Sequence, residues 1–143
     1  MTVASILAHK GREVLTAPAS TSLASVADIL ATKRIGAIII TGQKGEVAGI
    51  LSERDIVREI AKHGADALDQ PAQVCMTRKV ISCTESDTVD RVMELMTSGR
   101  FRHLPVLEDE RLVGIVSIGD VVKRKIEQAE RDAGELREYI ATA

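Results

Sequence analysis

Two heptapeptides hold the residues with the most definite chemistry. GILSERD at residues 49–55 and GIVSIGD at 114–120 share a glycine, two aliphatics, a serine and, three positions on, an aspartate; Ser52 matches Ser117 at an offset of 65. Ser-x-x-Asp ahead of a helical pattern is a capping box, in which side chain and backbone exchange hydrogen bonds around the first turn. The same junction can also hold a ligand. A helix N-terminus offers unpaired amides and a partial positive charge to an anion, and an ionised aspartate offers two acceptor oxygens to a pair of hydroxyls. Ser52, Asp55, Ser117 and Asp120 are therefore candidate binding residues as well as caps, and their duplication favours binding.

The elements that position them repeat as well. Residues 14–60 lie over 80–125, beginning with VLTAP at 14–18 against VISCT at 80–84, each a short β-like run ending in turn residues. An amphipathic helix follows in each half, carrying Leu23, Val26, Ile29 and Leu30 in the first and Val89, Val92, Met93 and Met96 in the second. Next come strand-like runs at Ile38–Ile40 and Leu104–Val106, a polar turn, and the strand that ends in the repeated phrase. A final helix begins at each aspartate. The expected fold is α+β: two β-α-β-β-α repeats packed about a pseudo-two-fold axis, because either repeat alone is too small to bury a sufficient core. The expected units are 1–64, the first repeat with an N-terminal segment; 65–73, a linker; and 74–143, the second repeat with an extended C-terminal helix.

Composition narrows the function. The chain has 19 basic and 21 acidic residues among 143, so no overall field draws in nucleic acid or an anionic membrane, and any anion site must be local. Apolar residues make up 45% but include no Trp and a single Phe, Phe101, which leaves no base-stacking platform for single-stranded nucleic acid. Cys75 and Cys83 are expected to be reduced thiols, since two cysteines make no disulfide framework. No apolar run approaches a membrane span and the N-terminus lacks a basic leader pattern, so the expected location is the cytoplasm.

The duplicated phrase, RHLPV at 102–106 and the order of elements in both halves together resemble a stand-alone pair of CBS (cystathionine β-synthase-type) repeats. The resemblance spans nearly the whole chain. It implies a module that binds adenine nucleotides such as AMP, ADP, ATP or NAD(H) as regulatory ligands, in one or both clefts between the repeats, with no catalytic cofactor. By position, Asp55 and Asp120 would hold ribose hydroxyls and Ser52 and Ser117 would approach phosphate. The adenine would lie near Thr16 and Ile38 in one half and near Ser82 and Leu104 in the other.

Basic groups should complete a phosphate site, and Arg100, Arg102 and His103 precede the Leu-Pro-Val run. The resemblance favours Arg102 and His103, and strand alternation would set Arg102 on the face opposite Phe101 and His103. Their counterparts in the first half are Gly36 and Ala37, although Arg54 stands within its own phrase. The two sites should therefore be unequal, with phosphate-binding groups shared across the pseudo-axis. GQKGEVAG at 42–49 lacks the order of a phosphate-binding loop and precedes a strand, so it is expected to be a hairpin turn. His9, His63 and His103 have no metal-ligand spacing, and no nucleophile and base can be matched, so the expectation is a protein that is not an enzyme.

Val122, Ile126, Ala129, Ala133, Leu136 and Ile140 form a heptad-like seam on the last helix. Because that helix outruns what the repeat requires, the seam predicts a homodimer. The leading expectation is a nucleotide sensor that regulates an unknown partner. The rival expectations are an interaction module with vestigial clefts, and a site for another ligand such as S-adenosylmethionine, a metal ion or nucleic acid.

Overall fold

The computed structural model describes residues 1–142. Its elements are α1 (Val3–Lys10), β1 (Thr16–Pro18), α2 (Leu23–Lys33), β2 (Ala37–Thr41), β3 (Val47–Ser52), α3 (Glu53–His63), α4 (Val89–Gly99), β4 (His103–Glu108), β5 (Arg111–Ser117) and α5 (Ile118–Thr142). In the first half β1 pairs parallel with β2, and β2 antiparallel with β3. In the second half β4 and β5 form the antiparallel hairpin, as expected.

The β-like run expected at 80–84 shrinks to a single parallel bridge between Cys83 and Val106. Proline explains the loss. In the first half the ladder runs upstream through the amide of Ile39, which donates to Leu15 O at 3.4 Å. The matching position in the second half is Pro105, which has no N–H to give. Only the bonds on either side of it form, Cys83 N to Pro105 O at 3.0 Å and Leu107 N to Cys83 O at 2.9 Å.

The leading segment of each half docks on the opposite half. Val3 N donates to Asp87 O at 2.9 Å, and Ala72 N to Thr21 O at 2.7 Å; Val89 N donates to Met1 O at 3.2 Å, and Leu23 N to Gln70 O at 2.9 Å. These are equivalent pairs. Residues 1–7 match 70–76 at an offset of 69, while the sites they dock on match at 66. The cores follow the exchange: Val3, Ile6 and Leu7 are buried with Val89, Val92, Met96, Leu104, Val106 and Val116. Ala72 and Met76 are buried with Leu23, Val26, Leu30, Ile38, Ile40 and Leu51.

The division expected at 64 and 74 therefore does not separate the cores. Residues 1–10 pack into the second core, and the segment expected to be a linker is folded into the first. Two short 3-10 turns, Gly64–Asp69 and Ala72–Val74, bury Ala67 and Ala72. The physical reason is that two small sheets, each apolar on one face, gain core volume by taking up the other's leading segment.

The glycine that opens each repeated phrase has its explanation here. A Cβ on Gly114 would lie 2.7 Å from Leu7 Cδ2, and one on Gly49 would lie 2.8 Å from Met76 Sδ and 2.9 Å from the Thr77 carbonyl. Leu7 and Met76 occupy equivalent positions, so both phrases need glycine for the same contact. Gly49→Ala is expected to destabilise the chain by about 1–3 kcal/mol, as overpacking does. Gly114→Ala should cost less, because only the mobile end of Leu7 opposes it. Urea denaturation of the two variants checks that order.

Candidate functional site

Each phrase ends a strand and starts a helix, and both close as capping boxes. Ser52 N donates to Asp55 Oδ2 at 2.9 Å and Asp55 N to Ser52 Oγ at 3.3 Å. Ser117 N donates to Asp120 Oδ2 at 2.8 Å and Asp120 N to Ser117 Oγ at 3.2 Å. The cap uses one carboxylate oxygen of Asp55. The other, Oδ1, lies outside the cap and has the Arg58 guanidinium of the same helix 4.0 Å away.

A cleft of about 380 Å³ opens at the first phrase. One wall carries Ile50, Ser52, Glu53, Arg54, Asp55 and Arg58, and the other Arg100, Phe101, Arg102 and His103. The strip 77–81 of the second half, with Thr77, Lys79, Val80 and Ile81, lines it too. The walls thus come from different repeats. Thr77 is held there by β3, since Ile50 and Thr77 exchange backbone bonds of 3.0 and 2.9 Å.

Of the residues expected from sequence, Ser52, Arg54, Asp55, Arg102 and His103 line this one cleft. Ser117 and Asp120 lie at the other phrase. Ile38 and Leu104 are fully buried in the two cores, Thr16 is exposed on β1, and Ser82 is exposed next to the lining residue Ile81. Phe101, Arg102 and His103 all line the cleft, where strand alternation would have set Arg102 apart from the other two. The reason is that β4 begins only at His103: Arg100 ends α4 in the left-handed conformation (φ 57°), and Phe101 and Arg102 belong to the turn.

His103 is sunk between the repeats, and Gly36 makes room for it: a Cβ there would come within 3.2 Å of the imidazole. Burial holds its pKa below the ordinary 6.5, with Lys10 and Arg102 pushing the same way and Asp120 and Glu53 opposing. At neutral pH His103 is therefore an uncharged hydrogen-bonding group rather than the cation that sequence suggested.

The second phrase is tied down from within. Lys10 Nζ donates to Asp120 Oδ2 at 2.7 Å and to Ile115 O at 2.9 Å. Burial raises the Asp120 pKa, but the Lys10 ammonium and the Ser117 amide outweigh it and leave the group below the usual carboxylate range. Lys79 is the counterpart of Lys10 and forms no ion pair among the described residues. The difference begins in secondary structure. α1 continues to Lys10 and delivers its ammonium to Ile115 O, whereas after Ala72–Val74 the chain extends and Thr77 meets Ile50 by backbone.

Sequence reasoning missed Lys10, Arg58, Lys79, Val80 and Ile81. LAHK at 7–10 against MTRK at 76–79 was the available signal, visible only at the offset of 69. The thiols are unreactive in character: burial, with Glu59 and Asp55 nearby, raises Cys75 to about 11, and burial with Asp87 raises Cys83 to about 12. Among the described residues no three His, Cys, Asp or Glu side chains gather to hold a metal, and no helix is long and apolar enough to cross a membrane.

Comparison with known proteins gives a family match in both halves. The family model described as CBS domain matches residues 4–62 and 72–127. The crystal structure of a CBS-domain containing protein from Agrobacterium tumefaciens, ATU1752, is 46% identical with a TM-score of 0.85, covering 87% of this chain and 92% of that one. The CBS domain pair of MJ0100, in complex with 5-methylthioadenosine and S-adenosyl-L-methionine, is 28% identical with a TM-score of 0.80, over 90% and 98%. PAE2072 from Pyrobaculum aerophilum, complexed with AMP, is 28% identical with a TM-score of 0.75, over 84% and 89%. The chain spans about half the length of some curated relatives it matches and less than a quarter of others.

The buried imidazole makes stability depend on pH. A base whose folded pKa lies below its unfolded value, 6.5 for His103, binds fewer protons folded than unfolded between the two. Its contribution is complete above about pH 6.5 and is lost as pH falls from there through the folded value. The urea midpoint should be lower at pH 5.5 than at pH 7.5, and His103→Asn should remove part of that difference. An equal drop in the variant would count against this assignment.

Proposed function

Because the chain belongs to the CBS-domain family, with two copies of the repeat in tandem, we propose that it is a regulatory module whose ligand is an adenine nucleotide such as AMP, ADP, ATP or NAD(H). The observation that carries this is the cleft in which Ser52 and Asp55 of one repeat face Arg102 and His103 of the other. Asp55 Oδ1 accepts from ribose hydroxyls; Ser52, Arg102, Lys79 and neutral His103 donate to phosphate. Ile50, Val80 and Ile81 give the base an apolar wall. The adenosine-type ligands in the AMP and S-adenosyl-L-methionine complexes of similar CBS pairs support the same class.

The cleft at the first phrase is the working one. At the second, Lys10 forms an ion pair with Asp120 through Oδ2, the oxygen that also takes the cap, and that pair competes with a ligand for the carboxylate. Because the working cleft has walls from both repeats, a ligand that bridges them favours the closed arrangement of the two. It can shift that arrangement, and so a partner, only by its difference in affinity for the two states.

Thermal shift with AMP, ADP, ATP, NAD, NADH and S-adenosylmethionine tests this. A ligand at about 100 times its Kd stabilises by about 2.7 kcal/mol. The shift should vanish in Asp55→Ala and persist in Asp120→Ala. The opposite pattern would move the site to the second phrase; no shift from any compound would leave the rival reading, an interaction module with vestigial clefts.

The helices after the two phrases support a homodimer. The α5 seam does not cover the chain's own sheet: Val122 is 45% exposed, Ile126 54%, Leu136 59% and Ile140 66%. Val57 and Ile60 on α3 are exposed as well. A heptad-spaced seam fits a second copy of itself, since side chains at that spacing interlock between two like helices. Light scattering at micromolar concentration should give a dimer, and Ile126→Glu a monomer; a monomeric wild type would refute it.

A further inference from the structure

The cleft does not end at His103. A second chamber of about 370 Å³ adjoins it, and Arg54, Arg100, Phe101 and Arg102 line both. Met96 and Thr97, at the end of α4, and Ile118, at the start of α5, line the far side. The turn that carries the partition is well fixed. Arg100 holds a left-handed conformation, and the Phe101 ring packs so closely on Gly99 that no Cβ would fit there.

Three guanidinium groups therefore share one partition. None forms an ion pair among the described residues, whereas Arg12, Arg91, Arg124 and Lys125 each hold a carboxylate. Across both chambers the fixed cations are Arg54, Arg58, Lys79, Arg100 and Arg102, and the carboxylates only Glu53 and Asp55. That excess stands in a chain whose formal charge is −2. Like charges gathered in a concave surface raise the local potential and select anions. A single phosphate, met by Ser52, Lys79 and Arg102, leaves Arg54 and Arg100 without a counter-charge.

We propose that the ligand of this cleft carries a chain of two or more phosphates, and that Arg54 and Arg100 hold those beyond the first. This rests on the nucleotide reading above and narrows it. A nucleoside di- or triphosphate and a dinucleotide share the required chemistry, a linked diphosphate that planar guanidinium groups can bind in bidentate fashion. AMP, with one phosphate, and S-adenosyl-L-methionine, with none, leave the partition unused.

The test is calorimetry on the full chain in EDTA with adenosine, AMP, ADP, ATP and NAD, repeated on the double variant Arg54→Gln, Arg100→Gln. Both side chains are exposed, and thermal melting verifies that the variant folds. At low salt ADP, ATP or NAD should bind at least about tenfold tighter than AMP, and the advantage should shrink as salt rises. In the double variant the ratio should fall toward one. NAD beside ADP and ATP separates a bridging diphosphate from a terminal one. AMP binding as tightly as all three, or a ratio that survives the double substitution, overturns the proposal and leaves the nucleotide reading standing. No binding by any compound, adenosine included, removes the nucleotide reading and this proposal with it.

Discussion

The reciprocal docking of the leading segments is the constraint on which the other features depend. Leu7 sits on Gly114 and Met76 on Gly49, each segment reaching the half to which it does not belong in sequence. Neither sheet is large enough to complete a core alone, and the exchange completes both. It also locks the two repeats face to face. The cleft results from that locking, because its walls belong to different repeats and neither repeat encloses it alone.

At each phrase the capping box is built from the same atoms as the proposed ligand contacts. The cap orients each aspartate by using Oδ2 on the serine amide, and Oδ1 lies outside the cap in both, with the Arg58 guanidinium 4.0 Å from that of Asp55. A carboxylate pinned in this way loses little conformational freedom when a ligand arrives, so the cap preorganises the site. Asp120 is pinned in the same way, and the Lys10 ammonium adds an ion pair on the same Oδ2 atom. The inequality of the two halves thus arises less from the phrases than from the leading segments. A helix to Lys10 carries its lysine onto Asp120, while an extended strip through Thr77 leaves Lys79 lining the open cleft.

Pro105 shows how one residue changes half of a repeat without altering its core. The missing amide removes the upstream rung of the parallel ladder, and residues 80–82 are left unpaired beside the cleft. Val80 and Ile81 are then free to line it. Leu15, the counterpart of Ile81 in the first half, instead accepts through its carbonyl from Ile39 N and packs against the first core.

Much was determined by sequence alone, for local physical reasons. Period and spacing specified the helices and hairpins of both halves, and the repeated Ser-x-x-Asp specified two capped junctions, since both are short-range properties. The repeat also showed that the two halves differ at equivalent places, Gly36 and Ala37 standing where Arg102 and His103 stand. Tertiary structure decided what depends on groups distant in sequence. Which half each leading segment completes, that Lys10 closes on Asp120, and that Arg102 and His103 face Ser52 and Asp55 all follow from how two sheets pack. The protonation of His103 belongs to the same group, because the burial and the charges that lower its pKa come from elements brought together only by the fold. Periodicity carries no information on such contacts, which are set by shape and charge across the interface between the repeats.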